Sequence, residues 1–261
     1  YWIFKIIVFT IFSNAGYYAM ILLRCLLFLA TVEDIYLQLV QEDEDDFTLL
    51  LSLILFVGAT LAFTTRELLV RPHLFSYLFI AIFLYLLEKK KGLLWLLPVL
   101  GILWSNLHGI EYPVMLLILF AYLTESFWQG WKNQGERVGS SYFNWPLILT
   151  CYTIFFTPGI IKLLPTPFEA QFGSGRFQYL YIDEHKLMPW EKIFTFSVFP
   201  FSNILGLIQN VLIISFFAVF VVSLYKRQLR VSHTLLFAGA VYLLFQHTRF
   251  CFEFFLLSLP M

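Results

Sequence analysis

Apolar runs follow one another along nearly the whole chain, and the stretch Ile204–Tyr225 contains no charged residue at all. Hydrophobic residues make up 60% of the 261 positions, charged residues only 13%, and the mean hydropathy is +0.78. A soluble fold could not hide this much apolar surface, because too few polar residues remain to cover its exterior. The runs are continuous rather than alternating, which argues against a transmembrane barrel. The expected fold class is all-α: a polytopic transmembrane helical bundle forming one domain over residues 1–261.

A spanning helix needs about 20 mostly apolar residues. Ten segments qualify or come close: Tyr1–Ser13, Gly16–Val32, Phe47–Thr64, Leu74–Leu87, Leu93–Trp104, Tyr112–Phe127, Trp145–Thr157, Ile204–Tyr225, Ser232–Phe245 and Phe250–Met261. This predicts about 8–10 membrane segments. Several are short and need polar flanks to reach the interface, or are broken helices around a cavity. Tyr1 and Met261 both fall inside apolar runs, and no charged leader or cleavage site precedes Tyr1, so the chain reads as a piece of a longer protein.

Basic short loops mark the cytoplasmic side. Lys89–Lys91, Lys132 with Arg137, and Lys226, Arg227 with Arg230 all fall on one side by simple alternation. The acidic run Glu42–Asp46 falls there too and reads as a solvated loop. The opposite side collects Thr64–His73, Ser105–Glu111, Gln246–Glu253 and a long loop, Pro158–Phe201, whose prolines, glycines and phenylalanines predict an ordered segment in the headgroup region. Zero formal net charge gives no reason to expect a nucleic-acid partner. Cys25, Cys151 and Cys251 lie in apolar runs without metal-type spacing and read as structural thiols.

Polar groups at membrane depth are costly and point by default to a functional site. On the outer side these are Arg66, Arg71, His73, Asn106, His108, His247 and Arg249. Arginine pairs phosphate bidentately and stays charged when partly buried, so Arg66, Arg71 and Arg249 are candidates for holding a phosphate. Each has a plainer role available as a helix cap or ion-pair partner, Arg66 with Glu67 or Glu111 and Arg249 with Glu253. Asn106 and His108 are expected in a turn at a cavity rim, able to meet a sugar hydroxyl or to cap helix ends. His73, after Pro72, is a binding candidate or a cap. Among the outer carboxylates Glu67, Glu111, Glu169, Asp183, Glu184, Glu191 and Glu253, Glu111 is nearest the Asn106–His108 turn, which makes Glu111 and His108 the catalytic candidates. Asp183-Glu184-His185 is either solvated or a divalent-metal site; no cofactor is otherwise indicated.

Four stretches occur in order: Arg71-Pro72-His73-Leu74-Phe75-Ser76-Tyr77-Leu78-Phe79, Leu103-Trp104-Ser105-Asn106-Leu107-His108-Gly109, Thr157-Pro158-Gly159, and Thr248-Arg249-Phe250 with Pro260. Together they resemble bacterial polytopic membrane proteins of the GT-C glycosyltransferase-like superfamily. The resemblance spans roughly Gly16 to Pro260. It implies a GT-C-like bundle in the bacterial inner membrane that transfers sugar from a polyprenyl-phosphate donor to an outer-face acceptor. Its expected partners are membrane lipids, the lipid-linked sugar and other membrane subunits. The family's catalytic carboxylate lies in its first outer loop; the first visible one here, Asn14-Ala15-Gly16, has none, so no such residue is carried over. A non-catalytic subunit of a membrane assembly is the first rival reading, and a transporter or lipid flippase the second.

Overall fold

In a computed structural model the chain folds into a bundle of helices, with no strand among the described residues. The structure describes residues 2–39, 46–64, 70–132, 144–172, 188–194 and 204–261. The helices are α1 (Trp2–Leu39), α2 (Asp46–Thr64), α3 (His73–Lys89), α4 (Leu97–Leu107), α5 (Tyr112–Lys132), α6 (Trp145–Tyr152), α7 (Ile160–Leu163), α8 (Thr166–Phe172), α9 (Trp190–Ile193), α10 (Ile204–Tyr225), α11 (Val231–Gln246) and α12 (Cys251–Ser258). Short 3-10 turns lead into α4 (Lys91–Leu96), α5 (Gly109–Glu111) and α12 (Thr248–Phe250), and one extends α6 (Thr153–Phe156).

Helix α3 is the axis of the bundle. Ile80, Ala81, Phe83 and Leu84 point in different directions around the helix, and all are fully buried. A helix apolar on every face must be enclosed, and α1, α4, α5 and α12 pack around it. Phe83 and Phe79 meet Trp104 of α4, the first edge-on at 5.2 Å and the second stacked at 5.7 Å. The chain then shuttles between the two ends of α3. Trp2, Phe63, His108 and Arg249 fall at its Ser76 end; Gln38, Glu125, Arg230 and Ser258 fall at its Glu88 end. Lys89, Lys132 and Arg230 thus lie at one end, as the sequence reading has it, whereas Trp2 lies at the His108 end, where a separate first crossing over Tyr1–Ser13 would not place it.

Among the described residues, three helical segments are long and apolar enough to cross a membrane: Trp2–Leu39, Gly109–Lys132 and Gly206–Tyr225. A fourth is added if Trp145–Phe156 and Ile160–Glu169, bent by 101° at their junction, count as one broken span. The ten apolar segments thus do not become ten long helices. Leu49–Thr64, Lys91–Leu107 and Val231–Gln246 are each 10–17 residues long. Short helices are tolerable where neighbouring helices cover them, as they cover α3.

Four boundaries differ from expectation. The connection expected at Asn14–Gly16 is shorter than a loop: two helices meet there at a kink at Gly16 (φ 68°, ψ −162°), a conformation essentially closed to residues with a side chain. Ser105–Leu107 belong to the last turn of α4 rather than to the connection, because Ser105 and Asn106 bond back to the carbonyls of Gly101 and Ile102, both at 2.8 Å. The segment Trp145–Thr157 changes to 3-10 geometry after Tyr152 and turns sharply at Pro158-Gly159, where Gly159 is left-handed (φ 77°). Within the long loop, helices α7, α8 and α9 take up part of the chain; residues 173–187 and 195–203, including Phe196, Phe199 and Phe201, lie outside the described residues.

The α4–α6 crossing depends on a missing side chain. A Cβ at Gly101 would sit 2.7 Å from Thr153 Oγ1 and 2.9 Å from Thr150 Cγ2. Both threonines are buried, so there is nowhere for them to retreat. Gly101→Leu is expected to destabilise the protein by ~1–3 kcal/mol, read as a lowered thermal midpoint in detergent. An unchanged midpoint would mean that α6 can move away from α4.

Candidate functional site

At the Ser76 end a buried hydrogen-bonded group connects α3, α4 and the turn into α5. The indole N–H of Trp104 donates to Ser76 Oγ at 2.9 Å, and Ser76 Oγ is bonded to His108 Nδ1 at 2.7 Å. His108 Nδ1 also lies 3.3 Å from Glu111 Oε1, three residues on. The spacing follows from the 3-10 turn Gly109–Glu111, which stacks residues three apart on one side. Ser76, His108 and Glu111 are all buried. The second carboxylate oxygen, Glu111 Oε2, has no hydrogen-bond partner among the described residues.

Arg249 stands close enough to act on the charge of Glu111. Its guanidinium lies 4.6 Å over the Phe250 ring, and the ring of His247 lies 5.4 Å from the same phenylalanine. His247 ends α11 in an extended conformation and is buried. Arg71, just ahead of α3, is exposed, and its carbonyl accepts the first turn's N–H from Leu74 at 3.2 Å. His73 opens α3 with its ring 5.3 Å from Tyr77. The structure thus gathers Arg71, His73, Asn106, His108, Glu111, His247 and Arg249 at one end of the bundle. Arg66, Glu67, Asp183, Glu184 and His185 lie outside the described residues. Glu169 and Glu191 are exposed, whereas Glu253 is buried in α12.

The expectation that Asn106 and His108 stand open on a cavity rim needs correcting. Both are buried, and Asn106 has both ends of its amide engaged: Oδ1 accepts from Trp2 Nε1 at 2.6 Å, and Nδ2 donates to Ile102 O. Burial without such bonds would be costly, so the local pairing is what allows an asparagine here. The turn is also covered, since Tyr112 donates to Leu164 O at 2.8 Å and Leu163 lies against Gly109. Among the described residues, no group of three or more His, Cys, Asp or Glu side chains could hold a metal ion.

The Glu88 end carries a second polar group, which the sequence reading passed over. Arg230 spans two carboxylates: Nε and Nη2 donate to Glu125 Oε1 and Oε2 at 2.7 and 3.0 Å, and Nη1 donates to Glu88 Oε2 at 2.8 Å. Tyr122 OH donates to Glu88 Oε1 at 2.5 Å, with His233 Nε2 at 3.3 Å from the same oxygen. Ser232 and Gln129 donate to Glu125. The network ties α3, α5 and α11 together. Burial works against the charge on Arg230, but the bonds to Glu125 and the charge of Glu88 outweigh it and hold its pKa above the usual arginine value. One signal was legible: Glu125 lies inside the apolar segment Tyr112–Phe127, where a carboxylate requires a partner.

Removing that partner should be expensive. Arg230→Ala leaves two largely buried carboxylates facing each other. Losing one member of a buried pair costs about 3–5 kcal/mol; Arg230 is itself 36% exposed, so water offsets part of this and ~2 kcal/mol is expected. Arg230→Lys should recover only part of the loss, since an ammonium cannot reproduce the fork to Glu125. Thermal unfolding of both variants measures this, and equal midpoints for Arg230→Ala and the parent would show that the network contributes nothing. No family model, no curated protein and no solved structure matches this chain.

Proposed function

We propose that the chain is an integral membrane glycosyltransferase-like protein with a GT-C-like bundle of about 8–10 membrane segments. In this reading it takes a sugar from a polyprenyl-phosphate donor at the Ser76 end of the bundle. One observation carries the proposal: a buried carboxylate, Glu111, has one oxygen near His108 and the other without a hydrogen-bond partner among the described residues, within reach of Arg249's charge. A general base needs an acceptor oxygen not already used by the fold. Glu111 would take the proton from the acceptor hydroxyl, with His108 and Ser76 fixing its orientation. Arg249 and Arg71 would meet the donor phosphate, whose departure calls for charge stabilisation more than protonation.

A second reading, a non-catalytic subunit of a membrane assembly, is favoured by the full engagement of Asn106 and by the cover that Leu163 and Leu164 place on the turn. Transfer assays separate the two. With a polyprenyl-phosphate sugar and the intact protein, Glu111→Gln is expected to lower turnover at least ~100-fold while leaving the thermal midpoint near that of the parent. Arg71→Lys and Arg249→Lys should each lose about tenfold or more, equivalent to ~1.4 kcal/mol of transition-state stabilisation. Undiminished transfer in Glu111→Gln would remove the catalytic role. Parallel loss of stability and activity would favour the structural subunit.

The bacterial inner membrane is the proposed location, with the Glu88 end cytoplasmic. Support comes from the basic residues Lys89, Lys90, Lys91 and Lys132 and the exposed aromatics Trp95, Trp128, Trp131 and Tyr225 in the same region. Amphipathic rings and lysines together suit a membrane–water interface. A cysteine introduced as Lys90→Cys should resist an impermeant thiol reagent in intact cells and react once the membrane is opened. Labelling in intact cells would invert the orientation.

A further inference from the structure

Three stretches of chain lead away from the Arg230 bridge, and each carries exposed cations. Lys89, Lys90 and Lys91 follow Glu88 directly, and Lys226 and Arg227 precede Arg230 by four and three residues. Lys132 ends α5 seven residues beyond Glu125, about 10 Å along the helix. Because Arg230 holds Glu88 and Glu125 at 2.8 and 2.7 Å, these cations are gathered at one end of the bundle although they lie far apart in sequence. All six side chains are exposed. Arg230 cancels one of the two carboxylates it bridges. The other, with the exposed Glu33 and half-buried Asp34 of α1, sets three negative charges against the six among the described side chains. Aromatic rings stand among the cations: Trp131 adjoins Lys132, Tyr225 adjoins Lys226, and Trp95 follows Lys91 by four residues, all exposed. Arg227 also has a φ of 56°, which glycine adopts more cheaply at a helix end, so the local backbone gives no reason for an arginine there.

We propose that this face binds the head groups of anionic phospholipids in the adjoining leaflet. Five of the six cations are lysines, which attract phosphate as point charges and demand no fixed geometry. That suits a head group which moves with its lipid. Clusters of basic residues at a membrane boundary gain attraction from each charge near the surface. The exposed rings set the depth, since tryptophan and tyrosine settle at head-group level with their apolar bodies toward the acyl chains. A soluble acidic partner would need the cations but not the rings. The inference rests on the membrane-spanning reading of the bundle and not on sugar transfer: Ser76 and Glu88 are 12 residues apart along α3, about 18 Å at 1.5 Å per residue.

The test uses the intact protein reconstituted in phosphatidylcholine vesicles that contain a minor fraction of brominated phosphatidylglycerol or, in parallel, brominated phosphatidylcholine. Bromine quenches nearby tryptophans, so quenching reports which lipid gathers at Trp95, Trp128 and Trp131. Phosphatidylglycerol is expected to be preferred at least about fivefold, the worth of one basic residue near the surface, and the preference should fade in about 0.5 M salt. Replacing Lys89, Lys90 and Lys91 together by Gln should abolish most of it, and Lys226→Gln with Arg227→Gln should lower it. Lys5→Gln with Lys162→Gln, exposed at the Ser76 end, should leave it intact. Equal quenching by the two lipids, the result if the acidic run Glu42–Asp46 neutralises the cations instead, overturns the proposal. So does an equal loss in the Lys5 and Lys162 variant, a preference indifferent to salt, or its removal by millimolar glycerol phosphate, which would mark a site for soluble phosphate. Should the triple variant fail to fold, the Lys226 and Arg227 variant decides: an unchanged preference there overturns the assignment.

Discussion

The enclosure of α3 governs the rest of the molecule. A helix covered on every side can carry polar groups only where neighbouring chains bring partners to them, and here that happens at its two ends. Ser76 is met by Trp104 and His108, and Glu88 by Tyr122, His233 and Arg230. Between them α3 is apolar on all faces, and the aromatic contacts of Phe79 and Phe83 with Trp104 hold α4 alongside. Two of the helices that cover α3 deliver side chains to these groups: α4 brings Trp104 to Ser76, and α5 brings Tyr122 to Glu88.

The two ends are finished differently. At the Glu88 end the carboxylates of Glu88 and Glu125 are met by a bridging guanidinium, a phenol, an imidazole, a hydroxyl and an amide, so the charges are largely spent on one another. At the Ser76 end the hydrogen bonding stops short, with Glu111 Oε2 left over beside His108. A saturated network serves mainly to join helices. A carboxylate with an oxygen to spare retains the capacity to act on something else, and the functional reading rests on that difference rather than on the number of charged residues at either end.

Much of this was visible in the sequence, though unevenly. Apolar runs and the placement of lysines sufficed for the helical class and for setting Lys89, Lys132 and Arg230 at one end, because both depend on composition over long windows. The gathering of His108, Glu111 and Arg249 followed from the same placement. Helix lengths were less legible: whether a 17-residue helix such as α3 is enough depends on what surrounds it, and that is a property of packing. The reading of Asn106 as an open rim residue failed because its partner, Trp2, is 104 residues away. The partnership of Arg230 with Glu88 and Glu125 was hidden in the same way, since nothing local to Arg230 distinguishes a bridging arginine from one that marks a cytoplasmic loop.

The distance along the chain between Glu125 and Arg230 also imposes an order in time. The two are 105 residues apart, and synthesis proceeds at roughly 5–20 residues per second. For something like 5–20 s, therefore, Glu88 and Glu125 emerge on helices whose compensating cation does not yet exist. During that interval the carboxylates have reason to stay hydrated near the aqueous boundary, and the contact between α3 and α5 lacks the ~2 kcal/mol that Arg230 adds to it. Arg230 thus acts as a latch that closes late, once the ribosome has delivered α10 and the residues that follow it.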